Sequence, residues 1–308
     1  MNILVHLGQP KAWSTTIQTA FESIDGNLNY LGFNPSFTES SWYKNNLAEI
    51  FEFGLRLETN QSFEKKLNFY RDLLYESLDS EKLNVISSES LSFKFFAYEI
   101  DTEIKLKRLG MLLRSFNTEF LYIWRRPSSL IKSCFKDLVK LGLNEDFEDF
   151  FENIFLYKDA NFYNDLKKDS IVNLVKKFFN SSKLSIIKLQ DSLELNKNEI
   201  IDFIRNRTGN KVVLQSKNRS FCDKATESIR HYNLEESSQV CYYNLIEPHR
   251  YFPHLSKDTN SFIWNNARSR KKRKHFSDLY IDKILDDVYS TKKVILLNRL
   301  IDQECRFN

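Results

Sequence analysis

The chain has 308 residues, 28% of them charged and 42% hydrophobic, and a formal net charge of +4. This composition is ordinary for a soluble globular protein. No apolar run reaches about 18 residues and the chain begins on a core strand, so we expect neither a membrane span nor a signal peptide. The four cysteines form no Cys-x-x-Cys pair, which argues against a zinc site and favours a reducing, cytoplasmic location.

Strand-like and helical segments alternate along the chain. Apolar runs of strand length predict β-strands at 2–7, 83–87, 118–124 and 184–189. Helical patterns lie at 16–24, 62–78, 92–115, 128–141 and 166–179, with a further amphipathic helix from Glu145 to Phe155. This alternation predicts an α/β fold with a central parallel β-sheet flanked by helices.

The loop after the first strand carries the residues of an anion site. Lys11 supplies a positive charge, and three hydroxyls follow at Ser14, Thr15 and Thr16 as a helix begins. Backbone N–H groups and the positive end of a helix dipole bind anions at such a point. The loop departs from the nucleotide-binding G-x-x-x-x-G-K-[ST] pattern, because Lys11 comes early and no second glycine precedes it.

A second phosphate-binding pattern follows the run 118–124. Arg125 comes directly after this predicted strand, and Pro127 can occupy the first turn of a helix that contains Ser133. Ligands bind at the carboxyl edge of parallel sheets. An arginine fork and a serine hydroxyl both suit a phosphate there.

Together these two patterns resemble those of sulfotransferases that use 3′-phosphoadenosine 5′-phosphosulfate (PAPS). The first is similar to the family's Gly-x-Pro-Lys-x-Gly-[ST]-Thr-x-x-Gln loop, and the second to its R-x-P-x-x-x-x-x-S motif. The resemblance implies a P-loop-like sulfotransferase fold with helical insertions, PAPS as co-substrate, and no metal. It also implies that the 5′-phosphosulfate and 3′-phosphate are bound by two groups of residues: Lys11, Ala12, Trp13, Ser14, Thr15 and Thr16 for the first, and Arg125 and Ser133 for the second.

Trp13 departs from the resemblance, because the family has glycine there. Glycine permits a positive φ or a close backbone approach, whereas tryptophan does neither at low cost. Two alternatives follow: the loop keeps φ negative at Trp13, or the indole packs over the nucleotide or the acceptor.

The resemblance also implies a catalytic pair. Lys11 would stabilise charge on the leaving phosphate, and Glu89 would take the acceptor's proton as general base. Glu89 follows the predicted strand 83–87, in a segment similar to the Ser-Glu segment of bacterial members, and the alternative is a carboxylate that only stabilises a helix N-terminus. His6 is interpreted as a packed core residue. The other candidate bases are Glu39, His249 and His254.

We expect one domain over 1–308, with 33–82 as an acceptor-side insertion and 240–308 as an unmatched C-terminal part. A small molecule or glycan is the expected acceptor, with a carbohydrate favoured and no nucleic acid expected. The basic run 268–274 is interpreted as a solvated surface, and the alternatives are a contact for an anionic acceptor, for a nucleic acid or for a membrane surface. The alternatives are a non-catalytic protein of the same fold that binds nucleotide, glycan or a partner, and a P-loop-type kinase. The acceptor and the oligomeric state stay open.

Overall fold

The computed structural model describes most of the first 214 residues. The described residues are 1–24, 26–32, 47–94, 99–140, 143, 145–156, 158, 161–180, 182–189, 193–210, 212 and 214. Several sequence-based predictions lie outside these residues. They concern Glu39, His249, His254, the basic run 268–274, and three of the cysteines, Cys222, Cys241 and Cys305.

Five strands form one parallel sheet in the order β2-β3-β1-β4-β5. The strands are β1 (Asn2–Gly8), β2 (Leu28–Tyr30), β3 (Leu83–Ser87), β4 (Asn117–Trp124) and β5 (Lys183–Lys188). The central strand β1 pairs with β3 on one side and β4 on the other, with His6 opposite Ser87 and Leu121. The predicted α/β fold with a central parallel sheet is confirmed.

Helices cover both faces of this sheet. The α-helices are α1 (Ser14–Glu22), α2 (Asn60–Ser77), α3 (Thr102–Leu113), α4 (Pro127–Lys140), α5 (Phe147–Leu156), α6 (Lys168–Phe178) and α7 (Leu193–Thr208). Shorter helical segments are a π-helix at Glu49–Gly54 and 3₁₀ helices at Glu89–Leu91 and Phe162–Asp165.

The core has two halves because alternate residues of β1 point to opposite faces. Ile3, Val5 and Leu7 belong to an apolar cluster that includes buried residues of α2, α3 and α6. Leu4 belongs to a second cluster, which includes buried residues of α1 and α7. Both faces of β1 are therefore covered, as its almost continuous apolar sequence requires.

One predicted element needs correction, and two observed elements were not predicted. The helix predicted over 92–115 is wrong in its first part, because α3 begins only at Thr102 and Asp101 has extended dihedrals. Buried polar contacts hold the chain before it: the Lys94 amide donates to the carboxylate of Asp165 at 2.8 Å, and Lys105 Nζ donates to the Phe93 carbonyl at 3.0 Å. Neither the three-residue strand β2 nor the helix α7 was predicted from the sequence.

The strand order places a topological switch point between β1 and β4. After β1 the chain passes through α1 to β2 on one side of the sheet, whereas after β4 it passes to β5 on the other side. The connections that leave the two strands therefore diverge at their carboxyl ends, which is where open parallel sheets bind ligands. The loop after β1 and Arg125 both lie at this edge.

Candidate functional site

The loop between β1 and α1 contains two residues with left-handed backbone conformations. Lys11 has φ 62° and Trp13 has φ 63°. Of the two alternatives for Trp13, the one in which φ stays negative is wrong, since this residue has the left-handed conformation that glycine adopts most readily. For a non-glycine residue this conformation costs about 1–2 kcal/mol. The indole is partly buried against the apolar cluster on the α1 face of the sheet, and this packing offsets that cost.

Hydrogen bonds connect the residues of this loop to one another and to the first turn of α1. The Gln9 carbonyl accepts hydrogen bonds from the Ala12 amide at 3.1 Å and from the Ser14 hydroxyl at 3.4 Å. The Ile17 amide donates to the Trp13 carbonyl at 2.9 Å, which starts the helix. The first turn of α1 contains no acidic residue, so no side chain there neutralises the positive end of the helix dipole.

Arg125 joins this loop to the end of β4. Its Nη1 donates to the Lys11 carbonyl at 2.7 Å, and its backbone amide donates to Gln9 Oε1 at 2.8 Å. The side chain of Gln9 is fully buried, and its Nε2 donates to the Leu166 carbonyl at 3.5 Å. Two motifs that are far apart in the sequence therefore form one structure. Gln9 was not predicted as a site residue, because neither a charge nor a motif position distinguishes it in the sequence.

Helix α4 contributes Ser133 and Asp137, which are one helical turn apart and share a face of the helix. Ser133 is buried. The ammonium of Lys11 forms an ion pair with the carboxylate of Asp137. Asp137 was not predicted as a site residue, although its spacing of four residues from Ser133 places both on one face of the helix.

Glu89 begins the 3₁₀ helix that follows β3. Burial raises the pKa of its carboxyl above the usual range, the Ser14 hydroxyl and the Lys11 charge act to lower this pKa, and the Asp137 charge raises it. The structure therefore brings Glu89 together with the residues of the first loop. A carboxyl with a raised pKa is suited to accept a proton near neutral pH.

The thiol of Cys134 lies among the charged groups of the site. Burial raises its pKa to about 12, and the charges of Lys11, Asp137, Arg125 and Glu89 all act on it. Four charged side chains from four different elements are thus within electrostatic range of one sulfur atom. Because the thiol stays protonated, we expect Cys134 to be unreactive.

His6 lies beneath this edge of the sheet. It is fully buried on β1, and its Nδ1 shares a hydrogen bond of 2.7 Å with the Ser87 hydroxyl. Burial lowers the pKa of His6 to about 3, so the imidazole is neutral at physiological pH. The residue is packed in the core, as interpreted from the sequence.

Comparison with known proteins finds likeness in structure. Neither a protein-family model nor a curated protein matches the chain. The structure is similar to a sulfotransferase from Alicyclobacillus acidocaldarius, with 10% identity over 85% of this chain and 98% of that chain and a TM-score of 0.46. The structure is also similar to a mouse sulfotransferase complexed with PAP (adenosine 3′,5′-bisphosphate), with 13% identity over 94% of this chain and 89% of that chain and a TM-score of 0.37. A chain of the PezAT toxin–antitoxin system of Streptococcus pneumoniae has 14% identity over 77% of this chain and 87% of that chain, with a TM-score of 0.31. The likeness concerns the fold.

Two features are absent from the part of the chain that the structure describes. None of the helices that the structure describes is both long and apolar enough to cross a bilayer. Among the same residues, no group of three or more histidine, cysteine, aspartate or glutamate side chains could hold a metal ion.

Proposed function

We propose that this protein transfers a sulfuryl group from PAPS to a hydroxyl or an amine of an acceptor. The observation that carries the proposal is the hydrogen bond between Arg125 and the Lys11 carbonyl, which joins the two predicted phosphate-binding motifs at the switch point of the sheet. Donors for two phosphate groups of one nucleotide then lie at a single edge. The sequence patterns of both motifs support the same donor.

The two ends of the donor would bind different residues. The N-terminal amides of α1, together with the hydroxyls of Ser14, Thr15 and Thr16, would bind the 5′-phosphosulfate. Trp13 would contribute a backbone amide of the same loop, and Ala12, whose amide donates to the Gln9 carbonyl, would hold the loop in shape around the phosphosulfate. Arg125 and Ser133 would bind the 3′-phosphate, and the bond to the Lys11 carbonyl uses one of the five N–H donors of the Arg125 guanidinium.

The transfer step moves one bond and one proton. The acceptor oxygen or nitrogen forms a bond to sulfur, while the bond between sulfur and the bridging oxygen breaks and leaves its electron pair on adenosine 3′,5′-bisphosphate (PAP). Lys11 would stabilise the charge that develops on this bridging oxygen, and Glu89 would take the proton of the acceptor. As in phosphoryl transfer, positioning and charge stabilisation supply most of the rate enhancement.

We further propose that the acceptor is a carbohydrate or another small hydroxyl compound, and that the chain is one domain in which the segment 33–82 lies on the acceptor side. Because acceptor choice depends on loops and insertions, the motifs above do not specify it. The alternative of a non-catalytic nucleotide-binding protein is an outcome of the test below.

The proposal is tested by incubating the protein with PAPS and a panel of sugars, phenols, alcohols and amines while PAP release is measured. Acceptor-dependent release is expected for the wild type and is expected to be lost in Lys11→Ala. Lys107→Ala removes the same charge from an exposed position of α3 and should leave the rate unchanged. If PAP binds and no acceptor is sulfated, the protein is a non-catalytic relative. Turnover by Lys11→Ala at the wild-type rate would contradict the assigned mechanism.

A further inference from the structure

The ion pair between Lys11 and Asp137 is unexpected at an anion site. Asp137 adds a negative charge beside the lysine that would bind a phosphosulfate. The two side chains are 34% and 31% exposed, so the pair lies near the surface and is accessible to a ligand. The Asp137 carboxylate is therefore paired with the same ammonium group that an incoming anion would bind.

The backbone of Lys11 is fixed, whereas its side chain has freedom to move. The bond from Arg125 holds the Lys11 carbonyl, and the left-handed conformation sets the direction in which the side chain leaves the loop. The lysine stem has four carbons and rotates easily, and its ammonium is a compact point charge that can change partners. The Asp137 carboxylate is carried by α4, one turn after the buried Ser133.

We propose that Asp137 is a positioning residue that holds the Lys11 ammonium against α4 in the free protein and releases it when an anion enters the loop. Asp137 thus competes with the anion for Lys11 and lowers the affinity of the free site. The inference rests on the proposed function only for the identity of the anion, which would be a PAPS nucleotide. The competition between Asp137 and an anion for Lys11 requires only that the loop binds an anion.

The magnitudes allow such an exchange. An ion pair at this level of exposure is worth about 0.2–1 kcal/mol. A charge-assisted hydrogen bond to a phosphate is stronger than an ion pair at this exposure. The phosphate therefore displaces the carboxylate, and the competition reduces affinity only by the value of the ion pair. Removing the Asp137 charge should tighten anion binding by roughly 1.4- to 5-fold.

The experiment is a calorimetric titration with inorganic pyrophosphate and with PAP at low ionic strength. The variants are Asp137→Asn, Asp137→Ala, Lys11→Met and the double variant Lys11→Met/Asp137→Asn. Asp202→Asn is the matched control, because it removes the same charge from an ion pair with Arg205 on α7. Circular dichroism checks that each variant is folded.

Both Asp137 variants are expected to bind the two anions more tightly than the wild type, and Asp202→Asn should not. In the Lys11→Met background the Asp137 substitution should have little effect, because Asp137 acts through Lys11.

Equal tightening in that background would indicate simple repulsion and would overturn the inference, as would unchanged or weaker binding in both Asp137 variants. Absence of pyrophosphate binding in the wild type and in Asp137→Asn also overturns it. If pyrophosphate binds and PAP does not bind more tightly, the proposed function fails and the inference stands.

Discussion

Arg125 Nη1 donates a hydrogen bond of 2.7 Å to the backbone carbonyl of Lys11, a residue 114 positions earlier in the chain. The bond links the end of β4 to the loop after β1. Gln9 strengthens the link, because its side-chain oxygen accepts from the Arg125 amide at 2.8 Å. Arg125 therefore supports the conformation of the loop in addition to any contact with a ligand.

We expect Arg125→Ala to weaken PAP binding by about 1.5–3 kcal/mol, the range for a charge-assisted hydrogen bond. Because Arg125 also holds the Lys11 carbonyl, AMP binding should weaken as well, by a smaller factor. Arg126→Ala removes the same charge one residue later and is the control. Calorimetric titrations with PAP and AMP measure both effects, and an unchanged PAP affinity in Arg125→Ala would refute the assignment.

The left-handed conformation of Trp13 can be tested by comparing two substitutions. Trp13→Gly and Trp13→Ala both remove the indole and its packing, but only alanine retains the cost of a positive φ. We expect the glycine variant to be the more stable of the two by about 1 kcal/mol in chemical denaturation. Equal stabilities would mean that the residue does not adopt this conformation in solution.

Glu89→Gln should separate activity from stability. The folded protein raises the pKa of Glu89, so it favours the protonated carboxyl, and the ionised form costs stability above that raised pKa. Glutamine resembles the protonated form. The variant should therefore be more stable than the wild type near pH 8, the difference should disappear below about pH 4, and sulfuryl transfer should be lost.

The control for Glu89 is Glu81→Gln, which changes an exposed carboxylate before β3. Glu81→Gln should change neither the pH dependence of the free energy of unfolding nor the rate of sulfuryl transfer. Full activity of Glu89→Gln would exclude Glu89 as the base and leave the alternative of a carboxylate that only stabilises a helix N-terminus.

The raised pKa of Asp165 leads us to expect a second pH dependence of stability. Burial raises its pKa to about 6, against the opposing effects of the Lys94 amide and nearby lysine charges. Between about pH 4 and pH 6 the folded state binds more protons than the unfolded state, so this group makes the protein less stable as pH rises. The total effect is up to about 3 kcal/mol.

Asp165→Asn keeps an oxygen that can accept from the Lys94 amide and removes the titration. Urea denaturation of both proteins between pH 4 and pH 8 gives the difference in free energy of unfolding at each pH. The variant should gain stability relative to the wild type as pH rises through 6. A difference that is constant with pH would show that Asp165 has an ordinary pKa in the folded state.

The sequence predicted the sheet well because its long strands are buried on both faces. The runs 2–7, 83–87 and 118–124 lie within one residue of β1, β3 and β4, since continuous apolar residues of strand length are typical of buried parallel strands. The strand β2 could not be predicted in this way. It has three residues, and its position depends on pairing with β3.

The candidate site was predictable where a motif fixes residue type and spacing, as at Lys11 and Arg125. It was not predictable where the contact joins distant elements. Gln9 acts through its amide on Arg125 and on the Leu166 carbonyl, and Asp137 acts by meeting Lys11 across the edge of the sheet. The conformation of Trp13 could not be read from its identity, because the loop's hydrogen bonds and the packing of the indole override the preference of tryptophan for negative φ.

The proposed nucleotide site is tested most directly by a calorimetric titration of the wild-type protein with PAP, with AMP and with ATP plus magnesium. We expect micromolar binding of PAP and binding of AMP that is at least tenfold weaker, because AMP lacks the 3′-phosphate assigned to Arg125 and Ser133. Equal affinities for PAP and AMP, no binding of either, or tight binding that requires ATP and magnesium would contradict the proposed site.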